Sequence, residues 1–141
     1  MLQGLTPWAI NKTGDEFYIS ERSGTAAYID AAGELARQEV RFSDPLASVP
    51  EAGFLVFVLK ADFAETKQAY GYYVYKENGQ PLNKIAIFEL QDNTWQEKAV
   101  LLDGIPTGSD HHGGRLELDD DGVLFATIGV WPHTRCFGRW K

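Results

Sequence analysis

LLDGIPTGSDHHGGRLELDDDGVLFATIG, residues 101–129, opens as the end of a strand, passes through a Gly/Pro-rich loop with two adjacent histidines, and closes as two short strands. The closing part, RLELDDDGVLFAT at 115–127, is an apolar strand, an acidic turn ending in Asp121-Gly122, and a second apolar strand. The same plan occurs at 8–20, WAINKTGDEFYIS, where Thr13-Gly14-Asp15 makes the turn and Phe17 and Ile19 share a face. A looser version spans 53–75. The three openings lie roughly one four-stranded blade apart, which is the spacing of radially repeated antiparallel sheets. A β-sandwich of about ten strands has the same periodicity, so spacing alone leaves both architectures open.

Outward from this stretch the chain reads as all-β. Strands are predicted at 6–10 and 16–20, then at 25–30 and 36–42 after turns at Ser23-Gly24 and Ala32-Gly33, followed by a Pro-containing loop over 44–52. A second round opens at 53–60, whose continuous FLVFVL run suits a strand buried on both faces. A turn of helix over 61–67, strands at 68–75, 83–90 and 95–102, and a Gly/Pro loop over 76–82 containing Asn78-Gly79 complete it. A third round starts at Arg115 and reaches Ile128. The expected fold is therefore two four-stranded meanders and half of a third.

Composition narrows the class of function. In 141 residues, 44% are hydrophobic and 13% aromatic, enough for a packed core. A net charge of -7 argues against a broad nucleic-acid-binding surface, and a single cysteine, Cys136, excludes an intrachain disulfide or multi-Cys metal site. No apolar run is long enough to span a bilayer, and MLQGLTPWAI lacks the basic and apolar regions of a secretory signal, which as written leaves localisation between unknown and cytoplasmic.

Chemistry-bearing residues converge before Gly113-Gly114. Asp110, His111 and His112 precede two glycines that let the backbone turn sharply or approach a ligand, and Arg115 follows as a structural cation under the loop. Asp119-Asp120-Asp121-Gly122 lacks the spacing and terminal Glu of a calcium-binding loop and reads as an acidic hairpin turn. A triad of His111, His112 and His133 has no fixed ligand spacing. Tyr70, Tyr72, Tyr73 and Tyr75 read as packing on a strand.

Four ordered segments, TPWAI, FYISERSG, GFLVFVLKADF and IPTGSDHHGGRLELDDDGVLFATIG, together resemble the glucose/sorbosone dehydrogenase family over residues 6–129. The resemblance implies a six-bladed β-propeller that oxidises the anomeric hydroxyl of an aldose sugar to a lactone, with pyrroloquinoline quinone (PQQ) as hydride acceptor and Ca2+ as a further cofactor. It places the general base on His111, a cofactor contact on Asp110 and a substrate contact on Glu51, and leaves His112 to packing or support. A neutral imidazole suits removal of a hydroxyl proton near pH 7. Most quinone and calcium contacts are expected outside this chain. Relatives are typically exported or held in the cell envelope. The rival reading is a non-catalytic β-rich module that binds carbohydrate or protein.

Val130 stands where the family continues with an aspartate. The tail after it, WPHTRCFGRWK, carries three of the 13 basic residues, two of the four Trp and the only Cys. It reads as an atypical segment, 130–141, for which a frame change or early stop is expected in preference to a divergent terminal strand. Two and a half blades do not close a propeller. Ile10, Phe17 and Ile19 at one end, and Leu116, Leu118, Leu124 and Phe125 at the other, are expected to be bare and to promote self-association.

Overall fold

The computed structural model describes residues 5–108 and 112–129, together with the backbone of 136–140. The first meander is β1 (Pro7–Thr13), β2 (Glu16–Glu21), β3 (Thr25–Ile29) and β4 (Leu35–Arg41). The second is β5 (Phe54–Leu59), a single helical turn α1 (Phe63–Thr66), β6 (Gln68–Glu77), β7 (Gln80–Gln91) and β8 (Thr94–Pro106). A third sheet holds β9 (Gly114–Leu118), β10 (Leu124–Ile128) and β11 (Cys136–Trp140) in the order β11-β10-β9.

The two meanders are joined along their last strands. β4 pairs in parallel with β8 through Glu39↔Thr94, Val40↔Trp95 and Arg41↔Gln96, giving one eight-stranded sheet in the order β1-β2-β3-β4-β8-β7-β6-β5. That sheet doubles over so that its end strands β1 and β5 come together, bridged by Asn11, whose side-chain amide donates to the Phe57 carbonyl. Within each meander all pairing is antiparallel.

Strand periodicity divides the apolar residues between two cores. The first lies between the two meanders: Tyr18, Ala26 and Val40 face Phe54, Phe57, Tyr73, Phe88 and Trp95. Trp95 is fully buried, its ring edge-on to Phe57 at 4.6 Å, and its indole N–H donates to Gln38 Oε1 at 2.7 Å. The second core lies between the second meander and the third sheet: Leu55, Val56, Tyr72, Val74 and Ile85 meet Leu116, Leu124, Ala126 and Ile128. β5 thus feeds both cores, Phe54 and Phe57 to one and Leu55 and Val56 to the other, which is why its sequence is apolar without alternation.

Three expectations change. The loop expected over 76–82 is a two-residue turn: Asn78 (φ 49°) and Gly79 (φ 83°) both occupy the left-handed region, so β6 and β7 continue through the predicted loop. The third round does not end at Ile128 in strand terms, because β11 pairs with β10 from Leu124↔Trp140 to Ile128↔Cys136. Of the seven residues expected to be bare, Ile19, Leu116 and Leu124 are buried and Phe17 and Leu118 half-buried, whereas Ile10 is 63% and Phe125 42% exposed. Leu116 and Leu124 point back toward the second meander, since strand alternation puts Arg115, Glu117, Phe125 and Thr127 on the opposite face.

Candidate active site

β1, β5 and β9, which open the first meander, the second meander and the third sheet in chain order, line one cavity of about 260 Å³ whose walls include Trp8, Ile10, Asn11, Val58, Arg115 and Glu117. β1 and β5 begin at the same end of the molecule: Pro7 pairs with Glu21, and the neighbouring Arg22 carbonyl accepts a hydrogen bond from Phe54 at the start of β5. Loop 42–53 arrives at this end. A second cavity of about 490 Å³ opens there among Arg22, Ser23, Leu46, Ser48, Pro50 and Gly53.

The first loop is tied down at its base. Lys84, buried on β7, makes an ion pair with Asp44 and lies over the Tyr75 ring at 4.6 Å. Burial alone would lower the Lys84 pKa, but the hydrogen bond and charge of Asp44 outweigh it and raise it; the same hydrogen bond lowers that of Asp44. Glu97 accepts from the Ser43 amide at 2.9 Å, the Ser43 hydroxyl at 2.7 Å and the Tyr73 hydroxyl at 2.8 Å. Further along, the Ala47 amide donates to the Val74 carbonyl, and a turn closed by Ala52 N–H to Val49 C=O presents Glu51. Glu51 is exposed and left-handed at φ 61°, a conformation that costs a non-glycine residue energy. Gly53 follows because a Cβ there would stand 2.1 Å from the Arg22 carbonyl oxygen.

The second loop carries the histidines. Asp110 and His111 lie outside the described residues, as do Val130 and His133. His112 is fully buried, its Nδ1 2.8 Å from Thr107 Oγ1 and its carbonyl accepting from the Tyr72 hydroxyl at 3.0 Å. Burial pushes the Tyr72 pKa up, so the hydroxyl stays a donor across the physiological range. The Gly113 carbonyl accepts from the Gly129 amide at 2.7 Å. The smallness of Gly114 is a matter of protein packing: a Cβ would meet the Thr127 carbonyl oxygen at 2.6 Å and the Tyr72 ring at 2.8 Å. Arg115, expected beneath the loop, is instead exposed and paired with Glu117 at 3.1 Å. Strand alternation turns it to the far face of β9. Asp119 accepts from the Asp121 and Val123 amides at 3.1 and 2.8 Å, an acidic hairpin turn as its sequence suggests. Tyr72 was legible only as a packing residue, because its link to the histidine loop spans 40 residues.

Four-stranded meanders standing side by side around their first strands define a β-propeller arrangement. The chain belongs to the glucose/sorbosone dehydrogenase family, whose sequence profile matches residues 5–133. It is similar in structure to an oxidoreductase of Thermus thermophilus described as a glucose dehydrogenase, with 28% identity and a TM-score of 0.76 over 91% of this chain and 39% of that one. It is also similar to the PQQ-bound aldose sugar dehydrogenase of Streptomyces coelicolor, with 25% identity and a TM-score of 0.75 over 89% of this chain and 38% of that one. The soluble aldose sugar dehydrogenase of Escherichia coli, solved in its apo-form, shares the fold at 23% identity and a TM-score of 0.71. The chain spans about two fifths of the length of these relatives. Comparison with curated protein sequences gave no match.

A planar quinone carrying several carboxylates needs multiple cations and a flat face to stack on. Among the residues lining the wider cavity, Arg22 is the single cation and none is aromatic, so that lining does not form a quinone cradle by itself. Among the described residues no group of three or more His, Cys, Asp or Glu is placed to hold a metal ion, and no helix is long and apolar enough to cross a membrane.

Proposed function

We propose that this chain provides the opening blades of a quinoprotein aldose dehydrogenase. In that reaction the anomeric hydroxyl of a sugar is oxidised to a lactone, and the quinone, when bound, supplies the hydride acceptor. The observation that carries the reading is that the loop presenting Glu51 and the buried His112, next in sequence to the assigned base, are both anchored on β6, through Val74 and Tyr72. His111 is assigned the proton-accepting role, Asp110 a cofactor contact, and Glu51 a contact to sugar hydroxyls. Family membership and similarity to a PQQ-bound sugar dehydrogenase support this reading over a non-catalytic binding module.

The lining of the wider cavity offers a quinone one cation and no aromatic face, which leads to a definite expectation for Ca2+ and PQQ. Their ligands come mainly from blades beyond the three sheets seen here, and the 141-residue chain alone does not turn over. Purified chain supplied with PQQ, Ca2+, an aldose and an artificial electron acceptor is expected to give only the cofactor background. Supplying the later blades of a relative as a separate polypeptide is expected to restore oxidation that His111→Ala removes. Turnover by the chain alone, lost in His111→Ala, would show that these sheets suffice. Restored turnover indifferent to His111→Ala would refute the assignment of the base.

A further inference from the structure

We infer that the wider cavity takes a carboxylate carried on a sugar, with Arg22 as the group that binds it; the sugar half of this inference rests on the dehydrogenase reading above. The cavity, about 490 Å³, lies between the β2–β3 turn and loop 46–53, and every described lining residue falls within 6–53. Two close fits hold its walls together. A Cβ on Gly24 would meet Leu46 Cδ1 at 2.7 Å, and one on Gly53 would meet the Arg22 carbonyl oxygen at 2.1 Å and its Cγ at 2.8 Å. Loop 46–53 is pinned by the Ala47 amide on the Val74 carbonyl and by the bridge between Leu46 and Tyr75. A cavity built this way spares a ligand the cost of ordering its walls.

Arg22 supplies the charge. It is exposed, and its guanidinium makes no hydrogen bond or ion pair among the described residues. The acid beside it in sequence, Glu21, is already committed: its carboxylate accepts from the Thr6 amide at 3.2 Å, the Thr25 hydroxyl at 2.8 Å and the Arg37 guanidinium at 3.0 Å. Arg22 therefore keeps its planar fork of donors, which matches the two oxygens of a carboxylate. Ser23 and Ser48 add hydroxyls to the same lining. One guanidinium with no second cation in the lining balances a singly charged carboxylate better than a phosphate, which carries nearly two charges at neutral pH. The chain as a whole has a net charge of -7, so an anion is held here by local contacts and not by the overall field. Glu51, the assigned sugar contact, stands in sequence between the lining residues Pro50 and Ala52, so the sugar contact and the anion site share one loop. A hexuronic acid, an aldose with a carboxylate at the end far from its anomeric carbon, carries both groups that such a pair would hold.

The test uses the 141-residue chain and needs no turnover. Calorimetry or ligand-observed NMR compares D-glucuronate, glucose, glucose 6-phosphate and acetate. Glucuronate is expected to bind at least about tenfold more tightly than glucose or acetate, the worth of one charge-assisted hydrogen bond, and more tightly than the phosphate. Arg22→Gln is expected to bring glucuronate to the level of glucose, and Arg22→Lys, which keeps the charge without the fork, to fall between. Equal binding of glucuronate and glucose by the unsubstituted chain would overturn the inference, and that comparison needs no variant to fold. A preference that survives Arg22→Gln would overturn it too. Acetate as tight as glucuronate would overturn the sugar half, and a preference for the phosphate would overturn the choice of carboxylate. The dehydrogenase reading fails separately. Glucose oxidation restored by the later blades, with no preference of the chain for glucuronate, keeps that reading and loses the inference. Arg22-dependent glucuronate binding by a chain whose complemented form oxidises no sugar does the reverse.

Discussion

Lys84 and Asp44 differ in burial although they form one ion pair: the Lys84 side chain is 4% exposed and that of Asp44 38%. Removing the carboxylate leaves an ammonium in the protein interior, and uncompensated buried charges cost about 3–5 kcal/mol. Removing the ammonium leaves a carboxylate that water can reach. Asp44→Asn is therefore expected to destabilise toward about 3 kcal/mol and Lys84→Met by clearly less, as measured by urea unfolding. The pair also sets a pH window. The Asp44 pKa is lowered by the Lys84 hydrogen bond, so its contribution is present above the ordinary carboxylate range and is lost as pH falls through the lowered value. Glu21 behaves alike: burial opposes its ionisation, but hydrogen bonds from Arg37 and Thr25 win and lower its pKa. The Lys84 pKa is raised, so its contribution is full below the ordinary ammonium pKa and disappears as pH rises through the raised value. Stability should hold level from about pH 4.5 to about pH 10 and fall outside it. In Lys84→Met the alkaline fall should move or weaken.

At the scale of elements, Trp95 at the start of β8 ties three parts of the first core together. It touches Phe57 on β5, Tyr18 on β2 and Phe63 in α1, and its N–H reaches Gln38 on β4 beside the parallel junction of β4 and β8. Trp95→Ala is expected to cost about 3–5 kcal/mol by cavity formation, and Trp95→Phe about 1–3 kcal/mol, largely because Gln38 loses a buried partner. Thermal melts of both variants check the order. The strands themselves were legible because their patterns are local: alternation in β9 and β10, an unbroken apolar run in β5, and Gly or Asn at the turns. The lengths of β6 and β7 were not, since Pro81 and Asn78-Gly79 signal a turn without stating that pairing continues on both sides of it.

The molecule as a whole exposes Trp8 and Ile10 on β1, in the wall of the cavity shared with β5 and β9, and Phe125 on β10. Apolar groups on such faces favour association. The isolated chain is expected to self-associate at micromolar concentrations, and Trp8→Glu with Ile10→Glu is expected to return it to monomer in sedimentation velocity. A monomer at every concentration in the unsubstituted chain would count against these faces as contact surfaces.

The order of strands, their faces and the repetition of a four-stranded unit are properties of the amino-acid sequence by itself, because side-chain alternation and turn chemistry act over a few residues. The same local signals placed His112 and Glu51 in loops ahead of β9 and β5. They could not show that the two meanders share a sheet through β4 and β8, that Leu116 and Leu124 face inward, or that Arg115 faces out. Nor could they connect Tyr72 to His112, or Lys84 to Asp44, across 40 residues. Those relations arise when sheets stack and choose which face to bury, a choice made by the apolar area of whole surfaces and expressed in no single segment.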